Sequence, residues 1–440
     1  MPKRSFVLPL LILGLCGAFF GQNHSPNSQA IFDAVRKGDL QKVLAFLDKG
    51  MDINIRGEYG YTPLIAASRY KHIDIAQALC DGGADVNAAA DYSYQAEEWG
   101  GFTPLLWAAK NCYVDMASLL IAKGADVERR GSGGDLPLIV AARRGCLPLA
   151  KMFILNGASV DAVDEESGDT ALIEAVSGGY LDLAEYLIEK GADVGRKAQG
   201  GTSLLLLGAF RRHYAAVRYF HEKGFSISDS DRLGQTAMHF AANDSAESRY
   251  VLTYLIEHGG NVSIKDAGGI SPLMLAAGNG SNLAAGVLIA KGAAVNDEDS
   301  NGNTPLHHVC KWLGAPERNR EVTKREATLR LLIDKGAKIN VQNRNGLTPL
   351  MDAARYQQAP SIIETLLKNG ALINTQDKEG WTALMYAAEW NRTDVIKVLV
   401  QRGADLNLRN SKGETALTVA KKRKSSAQAY ELLKGLGAKD

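Results

Sequence analysis

The residues of this 440-residue sequence with the greatest chemical potential are its eight histidines and five cysteines. Their spacing limits what they can do. A zinc-hydrolase helix needs His-Glu-x-x-His, a nucleophile elbow needs Gly-x-Ser-x-Gly, and a phosphate loop needs Gly-x4-Gly-Lys-Ser/Thr; none of these patterns occurs. Four histidines instead recur at two fixed places. His239 and His307 each stand three residues after a threonine, and His72 and His213 share a later position in a turn. Such recurrence favours local hydrogen bonding over a ligand or general base, since a catalytic group is needed only once. Asp126, Asp193 and Asp405 recur in the same way and also read as structural.

Cys80, Cys112, Cys146 and Cys310 form no Cys-x-x-Cys pair, and no histidine lies at ligand spacing from them. No metal and no cofactor is therefore expected. Small buried thiols are the favoured reading. A Cys112–Cys146 bridge is the alternative, because the two occupy nearly the same point of successive segments. Gly268-Gly269 and the glycines near Gly131 follow no strand-like segment, so they do not read as phosphate cradles.

The elements that must carry these residues are written in one phrase. Thr62-Pro63-Leu64 leads through Ala66-Ala67 to Gly83-Ala84-Asp85-Val86-Asn87. The phrase returns with anchors at Thr103, Leu136, Thr170, Ser203, Thr236, Ser271, Thr304, Thr348, Thr382 and Thr415, and a degenerate first copy begins near residue 29. That makes about twelve units, most of them 33–35 residues long. Threonine is a good N-cap, and proline costs nothing at the first helical position, where its missing N–H has no partner. Small and apolar residues follow on the face that must approach a neighbour. Val395, Val398 and Leu399 in one unit, and Leu183, Tyr186 and Leu187 in another, give a second helix at helical spacing. Gly191, Gly292 and Gly403 stand where a left-handed residue ends a helix.

These residues resemble the ankyrin repeat, whose unit of about 33 residues opens on Thr-Pro-Leu-His-x-Ala; Thr304-Pro305-Leu306-His307 is the nearest local match. The resemblance covers roughly residues 29–440. It implies an all-α solenoid of about twelve stacked helix-turn-helix units with projecting β-turn or hairpin loops, each unit burying its apolar face only against its neighbours. It also implies partners that meet the concave face, formed by the loop tips and the exposed side of the first helix. The polar first unit and the run Lys421-Lys422-Arg423-Lys424 in the last read as solvated caps.

The N-terminus departs from the repeat. Lys3 and Arg4 precede an apolar run over residues 6–15, then Cys16, Gly17 and Ala18. This pattern reads as a signal peptide over residues 1–21, followed by a short linker over 22–28 and the repeat domain from 29. The run is shorter than the roughly 20 apolar residues of a membrane span. A lipid-modified Cys16 weighs less, because Leu15 is not small. Residues 1–25 carry two basic and no acidic residues, so removing them takes the chain from 50 basic against 49 acidic to 48 against 49. A nearly neutral protein has no field to draw nucleic acid.

The residues that break the repeat are the candidates for function. The two positions that close the first helix hold Arg69, Lys110, Arg143, Phe210, Lys311 and Arg355, then Tyr70, Arg144, Arg211, Trp312, Tyr356 and Trp390, whereas the middle repeats have small or polar residues there. A 41-residue step between Thr62 and Thr103 adds a loop within residues 88–101 that bears Tyr92, Tyr94 and Trp99 beside Phe102; Tyr59 and Tyr61 lie on the loop before it, and Trp381 immediately precedes Thr382. Trp, Tyr and Arg dominate binding hot spots, and long aromatic loops are often functional. A second insertion, within residues 314–329, carries charges that suggest an extended, solvated helix start, with a bland loop the favoured reading. The sequence therefore predicts a non-enzymatic, exported and monomeric scaffold that binds a protein or peptide, periplasmic or secreted. Two alternatives stay open: a secreted effector engaging host proteins, and an accessory or chaperone-like partner of an envelope enzyme.

Overall fold

The computed structural model describes residues 26–91, 101–131, 134–243, 245–311, 319–356, 359–423 and 426–439. The expected signal peptide with Cys16, and the candidates Tyr92, Tyr94, Trp99 and Trp312, lie outside the described residues. The protein is an all-α repeat fold: the described residues hold 24 α-helices, and their only β pairing is three isolated bridges at loop bases.

The chain divides into two compact units, although the sequence reads as one repeat domain. The first runs to Ser159 and includes Asp164–Glu166; the second comprises Val160–Val163 and everything from Ser167. In the first, the helices are α1 (Pro26–Lys37), α2 (Leu40–Asp48), α3 (Pro63–Tyr70), α4 (Ile73–Asp81), α5 (Pro104–Asn111), α6 (Val114–Ala122), α7 (Pro137–Arg143) and α8 (Leu147–Leu155). Helix α1 begins inside the segment read as a linker. In the second, the first helices of successive repeats are α9 (Ala171–Gly178), α11 (Leu204–Arg211), α13 (Ala237–Phe240), α15 (Pro272–Asn279), α17 (Pro305–Cys310), α19 (Pro349–Tyr356), α21 (Ala383–Glu389) and α23 (Ala416–Lys422). Their partners are α10 (Leu181–Glu189), α12 (Tyr214–Glu222), α14 (Ala246–Glu257), α16 (Asn282–Ala290), α18 (Asn319–Asp334), α20 (Pro360–Lys368), α22 (Thr393–Gln401) and α24 (Ala427–Gly435).

The repeated phrase makes each pair for the reasons its residues suggest. Thr62 Oγ1 accepts from the Ile65 amide at 3.3 Å, and Thr103, Thr170, Thr348 and Thr382 cap their helices likewise. Leu136 has no hydroxyl to offer, and the buried Ser203 Oγ has no hydrogen-bond partner, so α7 and α11 lack this cap. First helices are buried almost throughout: in α3 every residue from Pro63 to Ser68 is inside, with the Ala66-Ala67 pair letting α1 and α5 approach closely. Second helices bury one stripe, as with Leu183, Ala184 and Leu187 of α10. Gly191, Gly292 and Gly403 end them at φ of 92°, 96° and 92°.

Repeats are tied to each other by polar side chains as well as by the core. Asn54 Oδ1 accepts from the Asp85 amide at 2.8 Å, Asn87 from Asp126 at 2.8 Å, Asp161 from Asp193 at 2.9 Å and Asn374 from Asp405 at 2.9 Å. The carboxylates of Asp126, Asp193 and Asp405 in turn accept from amides two residues on, which accounts for their recurrence. The loop tips of the second unit are strung together by backbone bonds, including Arg344 N–H to Asn301 O and Lys378 N–H to Asn345 O. Gly346 must be glycine here: its φ is 82°, and a Cβ would meet the Lys378 nitrogen at 2.7 Å.

Two expectations fail. Cys112 and Cys146 are bonded as a disulfide, not held as buried thiols. They sit at the turn between paired helices in adjacent repeats, with Cα atoms 5.7 Å apart, the separation a disulfide requires. The second insertion lengthens a helix, α18, to 16 residues rather than forming a bland loop, and Arg325 within it is buried, its guanidinium donating to the Gly278 carbonyl.

Candidate interaction surface

The exposed side of the first helices is built by a short-range device. The loop before each anchor folds back onto the helix that follows, so a side chain eight residues on can reach it. Arg69 Nη1 donates to Tyr61 Oη at 3.2 Å, Arg143 Nη1 to Asp135 Oδ1 at 3.2 Å and Lys311 Nζ to Asn303 Oδ1 at 2.7 Å, and Lys422 pairs with Glu414. One turn earlier on the same helices, His308 Nε2 donates to Asp299 Oδ2 at 3.0 Å and Tyr386 Oη to Asp377 Oδ2 at 2.6 Å. Basic residues at the helix end are thus partly committed to the scaffold.

In the first unit, Arg69 is held among rings. Its guanidinium carbon lies 4.9 Å from the Trp107 ring centre, 5.6 Å from Tyr61 and 5.8 Å from Tyr70, and Lys110 Nζ sits 4.5 Å over the same Trp107. Tyr59, in a left-handed conformation at φ 59°, meets Tyr61 edge-on at 6.4 Å. Tyr59, Tyr61, Arg69 and Tyr70, with Phe32, Asp33 and Arg36 of α1, line a cleft of about 160 Å³. Phe102 does not belong to an accessible surface: it is 1% exposed and packs edge-on against Trp107 at 5.6 Å. Arg143 is also withdrawn, bridging Asp135 and Asp164 at 3.2 and 3.3 Å, while Arg144 beside it is exposed. Burial pushes the Asp135 carboxyl above its usual range despite that pairing.

The second unit repeats the arrangement. The Arg355 guanidinium lies 5.1 Å from the Tyr356 ring, 5.6 Å from Tyr386 and 5.8 Å from Trp390. Arg423 covers Trp390 at 4.8 Å and pairs with Glu389 at 3.0 Å, leaving the indole 37% exposed. Trp381 stacks obliquely on Tyr386 at 5.1 Å and is half-buried. Phe210 is exposed, edge-on to Phe240 at 5.4 Å with Arg211 over its ring.

Beneath the second cluster lies buried charge. Asp352 of α19 is 1% exposed, and neither carboxylate oxygen has a hydrogen-bond partner; Lys311 Nζ stands 3.5 Å away. Burial raises its pKa to about 7, against the pull of Lys311 and Arg355. Nearby Asp299 goes the other way. Burial opposes its charge, but hydrogen bonds from His308, Asn303 and the amides of Asn301 and Asn303 outweigh that and hold it below the usual carboxylate range. Trp107, Tyr386 and Asp352, none of them anticipated, share one register: four residues after the anchor. Among the described residues no three His, Cys, Asp or Glu side chains gather as a metal cage, and no helix is long and apolar enough to cross a membrane.

Known proteins place this architecture. Family profiles described as ankyrin repeats (3 copies) match residues 5–90, 31–131, 130–198, 245–324 and 321–410, and one described as ankyrin repeats (many copies) matches 204–250. The chain is similar to the mitochondrial disaggregase of Bos taurus, 31% identical over 74 residues, or 17% of this chain and 11% of that protein. It is similar to protein phosphatase 1 regulatory subunit 27 of Mus musculus, 40% identical over 68 residues, or 16% of this chain and 44% of that one. The crystal structure of the human ASB11 ankyrin repeat domain aligns at 21% identity and a TM-score of 0.44, covering 52% of this chain and 97% of that domain. These matched segments span less than half of either curated relative. With profile matches running over most of its length, the chain belongs to the ankyrin-repeat family.

Proposed function

We propose that this protein is an exported scaffold that captures a protein or peptide on the exposed side of its first helices and the adjoining loops. Ankyrin repeats generally mediate protein–protein interaction, and the fold is typically a non-enzymatic scaffold. The observation that carries the reading is the Arg–aromatic cluster, built twice on equivalent positions: Arg69 with Tyr70 and Trp107, and Arg355 with Tyr356 and Tyr386. A cation held over rings on a rigid helix face loses little freedom when a partner docks, which is what makes such residues effective anchors.

Export is supported by two independent features. Lys3 and Arg4 precede the apolar run over residues 6–15, and the Cys112–Cys146 bridge is a bond that reducing compartments do not keep. Fractionation of the native cell, with mass analysis of the isolated protein, tests this part. Recovery of an uncleaved, fully reduced chain from the cytosol overturns it. Affinity capture from the native cell by the full chain, compared with the Tyr356→Ala/Trp390→Ala variant, tests the surface.

A further inference from the structure

The geometry points to an acidic, extended peptide with one aromatic anchor as the ligand of the first unit, a reading that rests on the scaffold function above. Three observations converge on it. The first is charge. The two positions that close α1, α3, α5 and α7 hold Arg36, Lys37, Arg69, Lys110, Arg143 and Arg144, so every repeat of this unit offers a cation at that place. Among the described residues Asp33 pairs with Arg36 at 2.8 Å, and Asp135 and Asp164 pair with Arg143. The corresponding stripe of the second unit is interrupted: Arg211, Lys311, Arg355, Lys422 and Arg423 stand there, but Ser177-Gly178, Asn243-Asp244, Gly278-Asn279 and Glu389-Trp390 carry no cation. A line of one sign along a face selects a partner of the other sign.

The second observation is the cleft between α1 and α3. Its volume of about 160 Å³ is close to that of a cavity of about 150 Å³ that takes up benzene, and its walls include Phe32, Tyr59, Tyr61 and Tyr70. One aromatic side chain fits there, edge or face against rings, with Arg36 and Arg69 at the rim. Asp33 in the same wall, paired with Arg36, disfavours any anion in the cleft itself, so the group that enters is an uncharged aromatic and the acidic side chains lie beyond it.

The third is spacing. Packed helices lie about 8–10 Å apart, and a peptide in the extended polyproline II form rises about 3.1 Å per residue with three residues per turn, so one repeat step matches one turn and every third side chain falls on one face. Acidic side chains every third residue after the aromatic therefore meet successive cations. Phosphorylated or sulfated residues would serve the same role as carboxylates.

The test is fluorescence anisotropy of the full chain with a labelled peptide, acetyl-Phe-Ser-Gly-Glu-Ser-Gly-Glu-Ser-Gly-Glu. Saturable binding is expected, weakening at least tenfold when Phe becomes Ala, and lost when Glu becomes Lys. Lys110→Glu and Arg36→Glu change exposed or half-exposed side chains, and each should weaken it about tenfold with an unaltered circular-dichroism melt; Tyr70→Ala should do the same through the cleft. Binding that ignores both the charge reversals and the Phe change overturns the inference. So does a single-stranded oligonucleotide of equal length that binds as tightly as the peptide. If the peptides fail while Tyr356→Ala/Trp390→Ala still abolishes capture of the native partner, the scaffold reading stands and only this ligand assignment falls.

Discussion

His307 Nε2–H donates to the Leu347 carbonyl at 3.0 Å, joining one repeat to the loop of the next. Its Nδ1 must be the acceptor, because the Thr304 amide donates to it at 3.1 Å. The imidazole is therefore neutral with its proton on Nε2, and His239 makes the same pair of bonds with Thr236 and Ile270. Burial lowers the His307 pKa from 6.5 to about 4. Below pH 6.5 the unfolded chain takes up a proton that the folded one refuses, so this contribution is whole above 6.5 and is lost as pH falls through 4. The loss amounts to about 3 kcal/mol. Chemical unfolding at pH 7.5 and pH 4.5 should show the midpoint falling with pH, and His307→Leu should flatten that dependence while costing about 1–3 kcal/mol at pH 7.5. An unchanged slope contradicts the assignment.

Asp352 predicts the opposite slope. Its folded pKa of about 7 stands above the ordinary 3.8, so its stabilising contribution is present below 3.8 and lost as pH rises through 7. Asp352→Asn removes a buried charge with no hydrogen bond, and should raise the midpoint at pH 8 by an amount that shrinks toward pH 4. A variant less stable than the parent at pH 8 would mean that the Lys311 pairing outweighs the burial.

The Cys112–Cys146 bridge closes a loop with a sequence separation of 34 residues, and chain-entropy arguments give it about 3–4 kcal/mol. A reductant should lower the unfolding midpoint of the parent and leave the double variant Cys112→Ser/Cys146→Ser unmoved. Equal responses from both proteins would place the effect elsewhere.

The scaffold was legible in the sequence because every repeat makes the same local demands: Thr caps, Pro at the first turn, Gly at left-handed ends. The bridge was half legible. Register put the two cysteines at one point of neighbouring repeats, but only the 5.7 Å Cα separation decides the matter. The aromatic-basic positions could be found because they interrupt a pattern. Their partners could not, since Trp107 and Tyr386 occupy a position that changes residue from repeat to repeat. Nor does a linear reading show that Tyr61 or Asp135 folds back onto the side chain eight residues later, which is what withdraws Arg143 from the surface. Phe102 misled because it sits beside an aromatic insertion; its backbone pairs with Ala90, and its ring turns inward.

The central claim is that partner binding runs through the Arg–aromatic clusters, one in each unit. The most direct measurement is equilibrium binding of the partner captured from the native cell to the full chain and to the variant Tyr70→Ala/Tyr356→Ala/Trp390→Ala. Each of these side chains is partly exposed, so the triple variant should keep its helical circular dichroism and melting temperature within a few degrees. The account predicts at least a hundredfold loss of affinity, since each anchor is worth on the order of 1–2 kcal/mol. An affinity within threefold of the parent, with the fold intact, would contradict it.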